Sequence, residues 1–227
     1  MKIAIIGKGN LGTHLYNSLK AQASVQWFAK DYPTSIIADI VIVSVSDHAT
    51  VAVCKEIDAS LVVHTAGVIP QVKKDNAGVF YPLFSFTKGA LVQWENIPIL
   101  IETAEEQNLS ILKKIVELLG AKPYSMSSAE RTNIHTAAVI VNNFTNHLYT
   151  LAEDYCRHHE LPFEVLHAIM KQGPEKAIKL GAKQAQTGPA IRGDSGTILD
   201  HMESIDQEDI KILYKLLSTS IRNRHEL

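Results

Sequence analysis

The sequence predicts an α/β protein in which a parallel sheet comes first and an all-α region follows. A glycine motif, G-x-G-x-x-G, directly follows an apolar run at the N-terminus. Further short apolar runs then alternate with segments of helical periodicity, and beyond residue 127 only helical periodicity is found. This order is typical of a Rossmann-like fold. We expect a dinucleotide-binding region at 1–126 and a helical dimerisation and substrate region at 127–227.

The glycine motif predicts a phosphate-binding turn. Ile3–Ile6 reads as a buried strand, and a helix over 10–21 follows the motif. The first glycine permits a tight turn, the second lets a pyrophosphate approach, and the third allows close helix packing. The alternative is a strand–helix turn without a ligand, and a lysine inside the motif either holds phosphate or marks a degenerate site. The candidate cofactor residues here are Gly7, Lys8, Gly9, Asn10, Leu11 and Gly12.

The end of the second predicted strand, over 25–29, favours NADP over NAD. NAD-binding folds place an acidic residue there to bind the ribose 2′-hydroxyl. Here Lys30 occupies the position and Asp31 comes late. A cation suits a 2′-phosphate, although a solvated loop lysine is the alternative.

The third strand of the usual Rossmann order is predicted to be missing. Only ten residues, 30–39, separate the second strand from the next apolar run at 40–45, and Pro33 interrupts them. A parallel crossover needs a dozen residues or more. We therefore expect the order 2-1-4-5-6, in the usual Rossmann numbering.

Two further strand ends carry candidate cofactor residues, because ligands bind at the carboxyl ends of parallel strands. Ser46 and Asp47 follow the strand at 40–45, and we expect Asp47 to cap a helix over 49–57. His64 and Thr65 fall at the carboxyl end of a strand at 61–64, and Gly67 follows, so we expect the nicotinamide to lie near them. Later candidate strands lie at 79–81, 98–101 and 122–125, with a helix at 105–119 before the last of them.

The helical region opens with a predicted cap at Ser127 or Ser128 and Glu130 in the first turn. One helix is expected to run to about residue 159, with an apolar stripe on one face. Another face carries His135, Asn142, Asn146 and Tyr149 at helical spacing. This polar stripe is either ligand-facing or part of an interface or core network. Helices are also expected at 162–184, broken at Gly173-Pro174, and at 197–203 and 206–222.

The loop at 188–197 carries Arg192 between glycines and opens onto a helix. A guanidinium can bind a carboxylate or phosphate bidentately, and the glycines free the backbone to wrap an anion. The alternative is that Asp194 or Ser195 caps the helix while Arg192 pairs with Asp194.

Composition excludes several classes of function. Net charge is -2 without a basic run, which argues against nucleic acid. No apolar run reaches the length of a membrane span. The two cysteines, Cys54 and Cys156, have no metal or redox spacing and read as reduced packing residues. With no signal peptide ahead of the first strand, a cytoplasmic location is expected.

Several motifs resemble those of Rossmann-like proteins that carry a C-terminal all-helical domain of unknown function and are often labelled NADP oxidoreductases. The motifs cover nearly the whole chain: GKGNLG, SVSDHA, HTAG, FYPLFSF, IHTAAVIVNNF and TGPAIRGDSGTI. More distantly, the chain is similar to pyrroline-5-carboxylate reductases and β-hydroxyacid dehydrogenases. That resemblance implies a homodimer built through the C-terminal helices, with an active site between the two domains.

One departure from the β-hydroxyacid dehydrogenases concerns the acid/base. Their lysine four residues before an asparagine is replaced here by Ala138 or Val139. His135 is the nearest substitute on this helix, because an imidazole side chain can transfer protons near neutral pH. We therefore expect an NADP-dependent oxidoreductase acting on a small acidic substrate, in which His135, Asn142 and Arg192 are catalytic. NAD is the alternative cofactor, and a non-catalytic dinucleotide-binding sensor or scaffold is the alternative function.

Overall fold

The computed structural model describes residues 1–225, and the chain forms two compact units, Met1–Asn143 and Phe144–Leu227. The first unit extends beyond residue 126, because the helix after that position is fastened to the sheet by a buried Arg131 and by His135. The predicted division at 126/127 stays a prediction about function.

The first unit is built on a seven-stranded sheet in the order β2-β1-β3-β4-β5-β6-β7. Its strands are β1 (Lys2–Ile6), β2 (Ser24–Phe28), β3 (Ile40–Val43), β4 (Val62–His64), β5 (Ala77–Pro82), β6 (Pro98–Thr103) and β7 (Lys122–Ser125). β2 lies at an edge and β3 pairs directly with β1, so the usual third Rossmann strand is absent as predicted.

The sheet is mostly parallel, as the predicted Rossmann-like fold requires, but one pair of neighbouring strands is antiparallel, which the sequence did not indicate. The first five strands run parallel, whereas β6 is antiparallel to β5 and β7 is parallel to β6. The segment between β5 and β6 contains a single 3-10 turn, Trp94–Asn96, and no crossover helix. The chain therefore enters β6 from the edge at which β5 ends.

Helices cover both faces of the sheet, and alternate strand residues enter two apolar cores. The core that includes Ile3 and Ile5 also takes in α1 (Asn10–Leu19) and α3 (Glu106–Leu118). The opposite core includes α2 (Asp47–Glu56). Cys54 lies in that second core, and burial raises the pKa of its thiol to about 12. Cys54 and Cys156 are both buried and free, as predicted.

Of two predicted helix N-caps, one is off by one residue and the other is confirmed. At α2 the N-cap is Ser46, and Asp47 is the first helical residue, so the expected cap at Asp47 is wrong by one position. Asp47 still lies where a negative charge suits the helix dipole. α4 (Ser128–Ala138) has the predicted capping box, in which Ser127 and Glu130 bond each other's backbone amides.

The predicted long helix is interrupted by a π-helical segment, Val139–Phe144, before it continues as α5 (Thr145–His158). The i→i+5 bonding of a π segment adds a residue to the turn and rotates the next helical residues about the axis. The spacing argument that put His135 and Asn142 on one face assumed an unbroken α-helix, which the structure does not have over this stretch.

The second unit contains the remaining helices, α6 (His167–Leu180), α7 (Ala182–Ala185), α8 (Ser195–Ser204) and α9 (Glu208–Arg224), with a 3-10 turn at Phe163–Leu166. The expected break at Gly173-Pro174 is wrong, because α6 continues through Pro174. α6 ends at Leu180, and the residue after it, Gly181, has a φ of 85°, which glycine adopts at little cost. Within 1–225, no helix has both the length and the apolar character needed to cross a bilayer.

Candidate functional site

A depression of about 600 Å³ opens at the carboxyl ends of β1, β2, β3 and β4. The end of β2 contributes Ala29 and Lys30, and the end of β3 contributes Ser44 and Val45. Eight of the predicted cofactor residues line this one depression: Gly7, Lys8, Gly9, Asn10, Leu11, Lys30, Ser46 and Thr65. Four separate parts of the sequence therefore meet at one surface, as the sheet rule requires.

Two of the three motif glycines are required by a close backbone approach, and the third faces open space. Gly7 has a φ of 114°, and a Cβ there would lie 1.9 Å from the Ser44 carbonyl oxygen. A Cβ at Gly12 would lie 2.2 Å from the Gly7 carbonyl oxygen, so its absence lets α1 pack against the turn. At Gly9 a Cβ would meet nothing within 4 Å. Gly9 is also the N-cap of α1 and offers no side-chain cap, which leaves the first amides of the helix for an anion.

Lys8 is held over an aromatic ring at the rim of the depression. Its ammonium lies 4.8 Å from the centre of the Trp27 ring, a cation–π distance. The Trp27 indole donates a 3.0 Å hydrogen bond to the Gly7 carbonyl and stacks on Tyr16 at 4.3 Å. This arrangement fixes a positive charge beside the glycine turn, which favours phosphate binding over a degenerate site.

Three predicted cofactor residues do not line the depression. Gly12 packs beneath it against the turn, and Asp47 is exposed at the start of α2. Gly67 has a different role, because a Cβ there would lie 2.5 Å from Nδ1 of His135. The bare Gly67 backbone therefore makes room for the imidazole of His135.

Tyr81 and His135 form a hydrogen-bonded pair beside Gly67. The phenol oxygen of Tyr81 lies 2.9 Å from His135 Nδ1, and the two rings meet edge to face. Burial raises the pKa of Tyr81, and the negative charge of Asp47 adds to the effect. Tyr81 is therefore held as a neutral phenol at neutral pH. We missed it in the sequence, although its place near the carboxyl end of a strand is the signal that selected Thr65 and Gly67.

A buried ion pair, which the sequence analysis did not identify, joins the start of α4 to the sheet and to the turn at Gly67. The guanidinium of Arg131, only 1% exposed, bonds the Glu102 carboxylate. It also donates to the carbonyls of Gly67 and Ile69, while Ser128 donates to Glu102. Arg131 thereby fixes the backbone on which His135 rests. A single arginine in the first turn of a predicted helix gives no sequence signal for such a role.

His64, which the sequence placed near the nicotinamide, is a structural residue of the turn. Its ring is fully buried, its Nδ1 accepts from the Ala66 amide at 3.2 Å, and its Nε2 lies 3.2 Å from the Pro70 carbonyl. This pattern selects the neutral tautomer with the proton on Nε2. Burial lowers the pKa of His64 to about 4.

The other two predicted catalytic residues, Asn142 and Arg192, are both exposed and lie in different units. Asn142 is exposed within the π segment. In the second unit, Asp194 caps α8 by accepting from the Thr197 amide at 3.1 Å, and the Arg192 guanidinium lies 3.9 Å from the Asp194 carboxylate. The structure therefore has the capping arrangement that the sequence offered as the alternative for this loop. Arg192 remains 63% exposed and available to an anion.

The fold and the glycine loop define a Rossmann-like protein whose second unit is helical. Residues 97–221, more than half of the chain, match the family model described as a domain of unknown function, DUF2520. The chain belongs to this family. The search of curated proteins found no match.

Solved structures agree with this assignment. The chain is 32% identical to a protein from Bacteroides fragilis named a "putative NADP oxidoreductase", with 98% of each chain covered and a TM-score of 0.83. A Thermotoga maritima protein is 22% identical, with 99% of this chain and 98% of that one covered and a TM-score of 0.77. A Plasmodium falciparum pyrroline carboxylate reductase, solved with NADP bound, shares the fold at 11% identity and a TM-score of 0.56, over 99% of this chain and 97% of that one. The predicted resemblance to the family and to these reductases is confirmed.

Proposed function

We propose that this protein is an NADP-dependent oxidoreductase. The observation that carries the proposal is the depression in which the glycine loop, Lys8 and Lys30 meet. Its donors suit the group: uncapped helix amides and two lysines face the same opening, and Gly9 leaves the approach clear. The NADP named for the Bacteroides fragilis relative and bound by the pyrroline carboxylate reductase supports the same cofactor. NAD is the weaker alternative, because Lys30 occupies the position at which an acidic residue would bind the ribose.

Bound NADP would supply or accept a hydride, and the chain must then supply or accept a proton. The Tyr81–His135 pair is the best candidate, because Tyr81 lies near the carboxyl end of β5, and β5 pairs in the sheet with β4, which leads to Thr65. We propose that the pair holds the proton, with His135 as donor or acceptor and Tyr81 as the group that orients its imidazole. Such a proton-transfer group contributes about 10²–10⁴ in rate.

The substrate is proposed to be a small molecule with an acidic group. Arg192, an exposed guanidinium on a glycine-rich loop, suits a carboxylate or phosphate, and Asn142 offers an amide for orientation. Both assignments follow from the residue types and stay predictions.

Calorimetric titration of the full chain with NADPH and then with NADH tests the cofactor. We expect saturable binding of one NADPH per chain and weaker binding of NADH. Failure of both to bind would contradict the proposal.

Absorbance of NADPH in the presence of a panel of cyclic imines and keto acids then tests for catalysis. Oxidation that is lost in His135→Gln, with cofactor affinity unchanged, would support an enzyme. Tight cofactor binding with no turnover across the panel would favour the alternative, a dinucleotide-binding sensor or scaffold.

A further inference from the structure

The second unit carries a cluster of metal-ligating side chains, separate from the residues assigned to the cofactor and the substrate. His158 and His159 lie at the end of α5, and Asp206 lies in the turn between α8 and α9. One ligand atom from each residue falls within 4.8 Å of the others, and His158 Nε2 is 3.5 Å from the Asp206 carboxylate.

The end of α5 explains how two successive histidines reach one point. Consecutive residues in a helix point in different directions, so such pairs rarely share a ligand. Here α5 ends at His158, His159 leaves the helical conformation at φ −94° and ψ 12°, and Glu160 turns the chain with a φ of 54°. The turn brings both imidazoles to the same side.

Tyr155 contacts both the histidine side of the cluster and the segment that leads to Asp206. Its ring packs on the His159 ring at 4.4 Å, and its hydroxyl lies 3.5 Å from the hydroxyl of Ser204, the last residue of α8. One side chain therefore contacts a ligand histidine and the segment that leads to Asp206, which reduces the ordering needed when an ion binds.

The electrostatics of the cluster favour a cation. Arg157, the adjacent positive residue, is paired with Asp154 at 2.9 Å and with Glu153 at 3.7 Å. Among the residues described, only His158 lies within ion-pairing distance of Asp206. With neutral imidazoles the cluster therefore keeps one uncompensated negative charge.

We propose that His158, His159 and Asp206 form a binding site for a divalent transition metal, with Zn²⁺ as the best-matched ion. Two imidazoles and one carboxylate are ligands that zinc prefers. Zinc bonds to nitrogen and oxygen are about 2 Å long, so two ligand atoms on one ion lie roughly 3 to 4 Å apart. Small side-chain rotations satisfy this distance, and three protein ligands leave room for water. An ion bound here ties the end of α5 to the α8–α9 turn.

Calorimetric titration of the full-length chain with zinc chloride, without a histidine tag and without cofactor, tests the site. We expect one ion per chain, and His158→Gln, His159→Gln and Asp206→Asn should each weaken binding at least about tenfold. His147→Gln, an exposed histidine on the same helix, is the matched control and should bind like the unmodified chain. Circular dichroism of each variant confirms that it is folded.

Cobalt provides a second measurement, because its visible spectrum reports the ligand geometry directly. Addition of cobalt chloride should give d–d bands that are lost in His158→Gln and kept in His147→Gln. No saturable zinc binding, or binding that survives all three substitutions, would overturn the proposal. Neither result depends on NADP binding, so the two proposals fail separately.

Discussion

Lys30 is the side chain that should separate NADPH from NADH, because the other loop contacts serve the phosphates common to both. Lys30→Ala is expected to weaken NADPH binding about tenfold, near 1.4 kcal/mol, and to leave NADH binding unchanged. Calorimetry measures both affinities. Lys20→Ala removes a lysine that lies over Tyr16 and serves as the control. Equal affinities for the two cofactors in the unmodified chain would contradict this prediction.

Tyr81→Phe removes the hydroxyl that lies 2.9 Å from His135 and leaves the ring in place. With a substrate in hand, we expect kcat to fall about 10²-fold with little change in cofactor affinity, because the imidazole loses its orienting partner. Tyr124→Phe, at an exposed tyrosine on β7, should have no effect. A kcat that is unchanged in Tyr81→Phe would remove Tyr81 from the mechanism.

His64 predicts a specific loss of stability in acid. The folded chain holds the pKa of this histidine at about 4, below its ordinary value of 6.5, so the unfolded chain binds the proton more readily. The contribution of His64 to the free energy of unfolding is therefore fully present above pH 6.5. It is lost as the pH falls towards 4, a loss of about 3 kcal/mol.

Urea unfolding of the unmodified chain and of His64→Gln across that pH range measures this loss. The free energy of unfolding should fall more steeply with acid in the unmodified chain, whereas the exposed His147→Gln should follow the unmodified curve. Parallel curves for His64→Gln and the unmodified chain would show that His64 does not titrate as described.

At the scale of elements, the reversal of β6 sets the course of α4. Glu102 of β6 pairs with Val79 near the start of β5, and Leu100 pairs with Tyr81 near its end. Arg131 bonds Glu102, and His135, one turn later, bonds Tyr81. The helix therefore rises along β5 towards the edge where the depression opens. A parallel β6 would reverse the positions of Glu102 and Leu100 along β5.

Removal of the buried cation tests this anchoring. Arg131→Met should destabilise the chain by about 3–5 kcal/mol, because Glu102 keeps its charge without a partner. Thermal or urea unfolding measures the loss, and Arg131→Met with Glu102→Gln should recover part of it. A single variant as stable as the unmodified chain would mean that the ion pair does not hold α4.

Local sequence patterns predicted the elements better than their arrangement. The glycine turn, the missing strand and the Ser127 capping box follow from neighbouring residues, and all were predicted correctly. The direction of β6, the π segment and the passage of α6 through Pro174 depend on tertiary packing, so they were missed. The Tyr81–His135 pair joins residues 54 positions apart, and no local spacing indicates it.

At the scale of the whole molecule, apolar side chains remain exposed along the long helix. Val141 is 72% exposed, Phe144 58% and Ile140 55%. Further exposed residues of this type lie in the second unit: Leu161, Val165, Ile169, Ile178, Leu199, Ile212 and Leu216. A single chain in water would bear a large cost for this surface.

We therefore predict a homodimer through the C-terminal helices. Light scattering at micromolar concentration should give twice the chain mass, and Ile212→Glu with Leu216→Glu should give a monomer if these residues are covered. Leu91→Glu, at a fully exposed leucine outside the helical region, is the control. A monomeric mass for the unmodified chain would refute the prediction.

The missing third strand also changes what the border of the sheet presents to other molecules. β7 is blunted by Pro123, which has no amide hydrogen to donate. β2 contains no proline, and a parallel strand directs every second amide away from its partner, so half of its amides have no partner in the sheet. A shortened Rossmann fold thus ends in an edge strand beside the depression at the glycine loop. An extended peptide that paired with this edge strand would continue the sheet next to Lys30.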